Sequence, residues 1–260
     1  MKQTAKKTAV ITGGAGGLGR ALAQGLQLQG WFTVLIDLPG PALDALAKTD
    51  AQVALACDLT DAQQLASVCA AIRADRPAID MVVYNAGITQ IGGFAETALD
   101  THRRVFEVNY FAAVAVAKEF LVDLRRSRGT HIAISSVAGF SPLYTRTAYA
   151  ASKHALEGFF GSLRAEEEVH GVTTCIAAPS FVATNPGNPN RQKNGIARPG
   201  SATDGFDEMT PQKAAAIILT GVAKKRAFIP VGRVATLSWM LNRLWPGLFF
   251  RLMTKNMRRP

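Results

Sequence analysis

The chain has 260 residues, 48% of them hydrophobic, which is enough for a core without disulfides and excludes small cross-linked scaffolds and disordered tails. Its three cysteines, Cys57, Cys69 and Cys175, are odd in number and far apart, with no Cys or His at metal-ligand spacing. They read as buried free thiols in a reducing, cytoplasmic setting, with no metal site.

The net charge of +10 is concentrated at one end. All 19 acidic residues lie at or before Glu208, while ten of the 29 basic residues follow it, so the excess belongs to the last fifty residues. Lys2, Lys6 and Lys7 precede an apolar run, Ala9-Val10-Ile11, too short for a signal sequence, and no apolar run is long enough to predict a membrane span.

The first predicted strand, Thr8–Thr12, ends in Thr12-Gly13-Gly14-Ala15-Gly16-Gly17-Leu18-Gly19, and a helix, Leu18–Gln29, follows at once. Glycines at a strand-to-helix turn let backbone N–H groups approach a pyrophosphate at the helix N-terminus. Two frames fit: Gly14, Gly16 and Gly19 as G-x-G-x-x-G, or Thr12, Gly13, Gly17 and Gly19 as T-G-x-x-x-G-x-G.

The second strand, Phe32–Asp37, closes on Asp37, 18 residues past Gly19. A carboxylate there accepts hydrogen bonds from ribose hydroxyls and repels a 2′-phosphate, and the following Leu38 and Pro39 supply no cation. NAD(H) is therefore the expected cofactor.

Further strands are predicted at Val53–Cys57, Met81–Asn85, His131–Ser135, Thr173–Ala178 and Ala227–Pro230, alternating with helical stretches that include Ala62–Ala74, Leu99–Arg126 and Tyr149–Val169. Near-continuous apolar strands separated by helices indicate one doubly wound α/β unit of Rossmann type over residues 1–260, its seven-stranded parallel sheet covered on both faces. Polar groups sit at the strand ends, where such sheets bind ligands: Asp58-Leu59, Asn85-Ala86-Gly87 and Ser135-Ser136, with Asn109 on the long helix. Tyr149 and Lys153, four apart on a helix, share one face.

In this order and spacing the chain resembles the short-chain dehydrogenase/reductase family, from about Thr8 to Thr184. The carriers are Thr12-Gly13, Gly17, Gly19, Asn85-Ala86-Gly87, Asn109, Ser136, Tyr149 and Lys153. The resemblance implies a strand order of 3-2-1-4-5-6-7 and a catalytic set of Asn109, Ser136, Tyr149 and Lys153. It also implies a cofactor site of Gly13, Gly17, Leu18, Gly19, Asp37, Asp58, Leu59, Asn85, Ala86, Gly87, Tyr149, Lys153, Pro179, Val182 and Thr184. Asn109 would support a water-mediated proton relay behind Lys153, and a homodimer or homotetramer would form through the Leu99–Arg126 and Tyr149–Val169 helices. One departure stands out: Pro179 is followed by Ser180 rather than the family's glycine, which bears on the chain path to Thr184.

Elementary electrostatics supports the tyrosine. A lysine about 4 Å away at an effective dielectric near 20 favours the phenolate by up to roughly 4 kcal/mol, enough to bring a phenol from about 10 towards 7. Ser136 would then hydrogen-bond the reacting oxygen.

Val137–Tyr144, Phe181 and a long mobile loop, Thr184–Glu208, are expected to bound the substrate pocket. Phe140, Leu143, Tyr144 and Phe181 suit a lipophilic alcohol or ketone. Alternatives are an NADP(H)-dependent carbonyl reductase, against which Asp37 speaks, and a non-catalytic nucleotide-binding regulator, which would not need Ser136, Tyr149 and Lys153.

The tail, residues 224–260, is basic and amphipathic. As a helix it gathers Val234, Leu237, Met240, Leu241, Leu244 and Trp245 on one face, with Thr236, Trp239, Asn242 and Arg243 opposite. Such a tail either covers the substrate loop, packs in a subunit interface, or lies on an anionic membrane as a peripheral contact. Basic residues interleaved with Leu and Phe do not form a polar stripe, so nucleic acid is not an expected partner.

Overall fold

In the computed structural model, residues 6–46, 48–184, 192–200 and 208–257 are described. Seven strands form one parallel sheet: β1 (Thr8–Thr12), β2 (Phe32–Asp37), β3 (Gln52–Ala56), β4 (Met81–Tyr84), β6 (Thr130–Ile134), β7 (Thr173–Pro179) and β9 (Phe228–Val231). Their order is β3-β2-β1-β4-β6-β7-β9, the arrangement expected from the sequence. The order reverses between β1 and β4, which opens a crevice at the carboxyl ends of the strands.

Period-two alternation builds the two layers. Ala9 and Ile11 of β1 and Met81 and Val83 of β4 face one side, against α1 (Gly17–Gln27) and α7 (Pro211–Ala223). Val10, Val82 and Tyr84 face the other, against α3 (Ala62–Asp75), α5 (Ala112–Ser127) and α6 (Thr147–Glu167). Phe120 and Phe160 are fully buried in this second layer, each contributing about 1.5–3 kcal/mol of hydrophobic stabilisation. The short α2 (Pro41–Asp44) follows β2.

The expected single helix Leu99–Arg126 is interrupted. α4 (Leu99–Phe106) passes through a π-helical turn, Glu107–Phe111, into α5. Arg125 then holds Glu167 at the end of α6 through two hydrogen bonds of 2.9 and 2.6 Å, which keep that carboxyl below its usual range.

The loop expected over Thr184–Glu208 carries a short strand where the chain is described. Ile196–Ala197 forms β8, paired antiparallel with β5 (Thr89–Gln90) in a separate two-stranded sheet. Residues 185–191 and 201–207 of that expectation lie outside the described residues. α8 (Arg233–Leu244) and α9 (Pro246–Met257) end the fold.

Candidate active site

The crevice is a cleft of about 1420 Å³ between the glycine turn, the ends of β4, β6 and β7, and the start of α6. Backbone geometry decides between the two glycine frames. Gly13 has φ +64°, a left-handed conformation, and a Cβ there would lie 2.9 Å from the Ala86 Cα. A Cβ on Gly19 would lie 2.3 Å from the Gly13 carbonyl oxygen, and one on Gly17 would lie 3.0 Å from the Thr184 carbonyl oxygen. Gly14 is constrained as well, since its Cβ would lie 2.9 Å from the Leu35 Cα, so the fold holds Gly13, Gly14, Gly17 and Gly19 tightly and releases only Gly16, the one member of the first frame it does not need. α1 starts without a side-chain cap, so the N–H groups of its first turn, including Gly17 and Leu18 on the cleft wall, remain for a ligand.

Thr12 and Asn85 stitch this turn to β4. The Thr12 hydroxyl donates to the Val83 carbonyl at 3.2 Å and accepts from the Asn85 and Ala86 amides at 3.0 and 3.1 Å. The Asn85 amide donates to the Thr12 and Gly13 carbonyls at 3.1 and 2.9 Å, so that side chain shapes the turn from within.

Asp37 stands at the end of β2 on the cleft wall and accepts from the Ala15 and Leu38 amides at 2.9 and 2.8 Å. Asp58, beside Leu59 on the same wall, accepts from both the amide and hydroxyl of Thr60. Those hydrogen bonds hold its carboxyl below the usual range. The cradle fits a dinucleotide: it offers bare N–H groups at a helix start and positions where a Cβ would collide with backbone.

Ser136, Tyr149 and Lys153 line the same cleft. Ser136 precedes a 3₁₀ turn, Val137–Gly139, accepts from the Ala138 amide at 3.2 Å, and its hydroxyl acts on Tyr149 by opposing the rise of the phenol's pKa. Asn109 lies behind the wall, 1% exposed, in the π turn. It accepts from the Ile88 amide at 2.8 Å and donates to the Ile88 carbonyl and the Ser152 hydroxyl, both at 2.9 Å. Gly87 separates it from the lysine: a Cβ there would sit 3.2 Å from Asn109 Oδ1 and 3.6 Å from Lys153 Nζ.

The tyrosine's electrostatics differ from the expectation. Burial pushes the Tyr149 phenol up, opposed by the hydrogen bond with Ser136 and by the Arg146 charge. Lys153 does not supply the anticipated pull. Its Nζ lies 5.9 Å from the centre of the Tyr149 ring, donates to the Ile134 carbonyl at 2.8 Å, and is itself pushed down to about 8 by burial, with Glu157 opposing.

Glu157 stands behind the cleft wall, and sequence reasoning did not single it out. It lies one turn beyond Lys153, accepts from the Ser135 hydroxyl at 2.6 Å, and burial raises its own pKa. The signal was available as a carboxylate at i+4 from a lysine.

At the substrate end, Leu143, Tyr144, Phe181 and Val234 line the cleft. Phe140, expected there, turns away and packs edge-on against Phe228, with ring centres 5.8 Å apart. Ser180 takes the place of the family's glycine without a left-handed backbone; its amide donates to the Val231 carbonyl at 3.1 Å. Pro179, Val182 and Thr184 follow along the cleft wall, and Thr184 is fixed by its hydroxyl donating to the Pro199 carbonyl at 2.7 Å.

Comparison with known proteins bears on the family and the fold. The short chain dehydrogenase family profile matches residues 7–195. The chain is 34% identical over 268 residues to Dehydrogenase/reductase SDR family member 7B of Bos taurus, covering 96% of this chain and 81% of that protein. It is 30% identical over 271 residues to the protein of the same name from Danio rerio, covering 97% and 86%. A short-chain dehydrogenase structure from Streptomyces avermitilis matches with a TM-score of 0.80 and 25% identity over 98% of this chain and 100% of that one. A Burkholderia cenocepacia short chain dehydrogenase in complex with NADP matches with a TM-score of 0.82 at 20% identity, over 96% of this chain and 98% of that one, a likeness of fold alone.

Proposed function

Because the chain belongs to the short-chain dehydrogenase/reductase family, and so is an oxidoreductase using a nicotinamide cofactor, we propose that it transfers hydride between NAD(H) and the hydroxyl or carbonyl carbon of a lipophilic alcohol or ketone. The observation that carries this reading is the convergence of Ser136, Tyr149 and Lys153 on the cleft that begins at the glycine turn.

The nicotinamide ring supplies the hydride acceptor or donor when the cofactor is bound. Every other contribution belongs to the chain. First-turn N–H groups of α1 hold the diphosphate, Asp37 accepts from ribose hydroxyls, and the Lys153 ammonium holds the second ribose. Ser136 steadies the reacting oxygen. Tyr149 moves the proton at its phenolic oxygen: with a raised pKa it is protonated at neutral pH and ready to serve a carbonyl oxygen. Removing a proton from an alcohol requires the phenolate, so oxidation should gain with rising pH. Leu143, Tyr144, Phe181 and Val234 favour an apolar substrate body.

Turnover with NADH or NAD⁺, followed by nicotinamide absorbance across a panel of lipophilic ketones and alcohols, tests the activity. A protein that binds the cofactor yet turns over none of the panel would count against this reading and leave a regulatory nucleotide-binding role.

The choice of NAD(H) rests on Asp37. The cleft wall from Asp37 to Leu43 carries one carboxylate and no cation. NADH should bind more tightly than NADPH, and Asp37→Ala should narrow the ratio by about tenfold or more, the scale of a charge-assisted hydrogen bond of about 1.5–3 kcal/mol. Equal affinities in the wild-type protein would overturn the assignment.

Glu157 gives a pH test. Its carboxylate favours the Lys153 ammonium, so Glu157→Gln should lower the lysine's pKa further from about 8 while keeping an acceptor for Ser135. If the ammonium holds the ribose, the alkaline loss of NADH affinity should begin at lower pH in the variant. An unchanged binding profile from neutral to alkaline pH would remove Glu157 from this role.

A further inference from the structure

An ordinary surface helix directs its apolar stripe inward, whereas the first of the two C-terminal helices keeps apolar side chains on both its inner and its outer side. α8 packs on the body through Ala235, which is buried, through Trp239, stacked 5.6 Å from Phe228, and through Asn242, which donates to the Phe140 carbonyl. The opposite side carries Arg233, Leu237, Met240 and Leu244 at helical spacing, and there Leu237 is 67% and Leu244 60% exposed. Trp245, at 60%, and Leu248, at 48%, carry the exposed apolar surface on into α9. Among the described residues no helix is long and apolar enough to cross a membrane, so a lipid contact here lies along the surface.

We propose that this face docks on an anionic membrane surface. The charge of the segment selects the occupant. No Asp or Glu follows Glu208, while ten basic residues do, so the apolar face sits within a stretch that is cationic throughout. A second copy meeting the same face about a two-fold axis would place cations on cations with no acid in the segment to offset them. An anionic lipid surface answers both features: its acyl boundary takes the Leu, Met and Trp side chains, and its headgroups take the arginines and lysines. Docking also has a functional geometry. Val234, in the first turn of α8, lines the cleft, so the substrate mouth adjoins the lipid-facing helix.

The full-length protein should co-sediment with phosphatidylcholine vesicles that contain phosphatidylserine and not with phosphatidylcholine alone. Binding should weaken towards about 1 M salt, where the Debye length falls to about 3 Å. Leu237→Glu combined with Leu244→Glu should reduce vesicle binding by about tenfold or more, with NADH affinity and thermal melting unchanged. Arg233→Gln with Arg243→Gln, which leaves the apolar face intact, should flatten the salt dependence.

Wild-type protein that ignores anionic vesicles at low salt would overturn the proposal, as would double-glutamate protein that binds them normally. A wild-type dimer that the glutamate pair converts to monomer, without vesicle binding, would assign the face to a second copy instead. None of these readouts needs turnover, so failure here leaves the proposed chemistry standing.

Discussion

Replacing Tyr149 by Phe should lower kcat by about 10²–10⁴-fold, the range for losing a positioned proton carrier, while NADH affinity changes little. The phenylalanine ring keeps the packing of the tyrosine at the start of α6 and deletes one oxygen. That oxygen is the group proposed to exchange a proton with a substrate oxygen, beside Ser136 on the cleft wall. Lys153→Ala should behave differently. It removes the Nζ that bonds the Ile134 carbonyl and the charge proposed to hold the ribose, so NADH affinity should fall along with kcat. Stopped-flow or steady-state kinetics paired with NADH titration separates the two patterns. A Tyr149→Phe enzyme with near-normal turnover would remove the mechanism, and a Lys153→Ala enzyme with normal affinity would confine the lysine to the proton path.

The strands were legible wherever burial on both faces enforced a continuous apolar run. Thr8–Thr12 and Phe32–Asp37 coincide with their expected limits. Val53–Cys57 slipped by one residue because β3 is the sheet's edge and only partly buried, so its alanines carry a weak pattern. The π turn at Glu107–Phe111 left no such trace, since it contains neither Pro nor Gly and continues the helical spacing. Helix α7 carries a start signal in its sequence: Thr210 caps it by accepting the Lys213 amide at 3.2 Å, and Pro211 takes the first position.

Within the site, the Tyr149 and Lys153 pair could be read from spacing, but the direction of each side chain could not. Lys153 turns to a carbonyl on β6, 19 residues earlier, and Phe140 turns to Phe228 on the last strand, contacts that only the closed sheet creates. The pairing of Thr89–Gln90 with Ile196–Ala197 is equally a product of tertiary structure, because two-residue strands carry no periodicity.

The glycine turn supplies the other large expected effect. Gly19→Ala should weaken NADH binding by about tenfold to a hundredfold and lower the melting temperature, reflecting about 1–3 kcal/mol of overpacking. The added methyl would sit 2.3 Å from the Gly13 carbonyl oxygen and 2.9 Å from the Gly14 Cα. Both are backbone atoms, and Gly13 has little room to withdraw, since a Cβ added to it would lie only 2.9 Å from the Ala86 Cα. Relief therefore has to come from lifting the first turn of α1 away from the strand, which moves the N–H groups meant for the diphosphate.

Gly16→Ala, three residues earlier, is the matched control. Gly16 has φ −71° and ψ 161°, ordinary for an L-residue, and its added Cβ would meet only the Gly13 carbonyl oxygen at 3.3 Å. That variant should fold and bind NADH within a few-fold of wild type. Melting curves and NADH titrations of the two proteins side by side discriminate between the two frames of the glycine cluster. Equal losses at both positions would favour the G-x-G-x-x-G frame, in which Gly16 is as indispensable as Gly19. A loss confined to Gly19 would show that Gly16 is dispensable and count against the G-x-G-x-x-G frame.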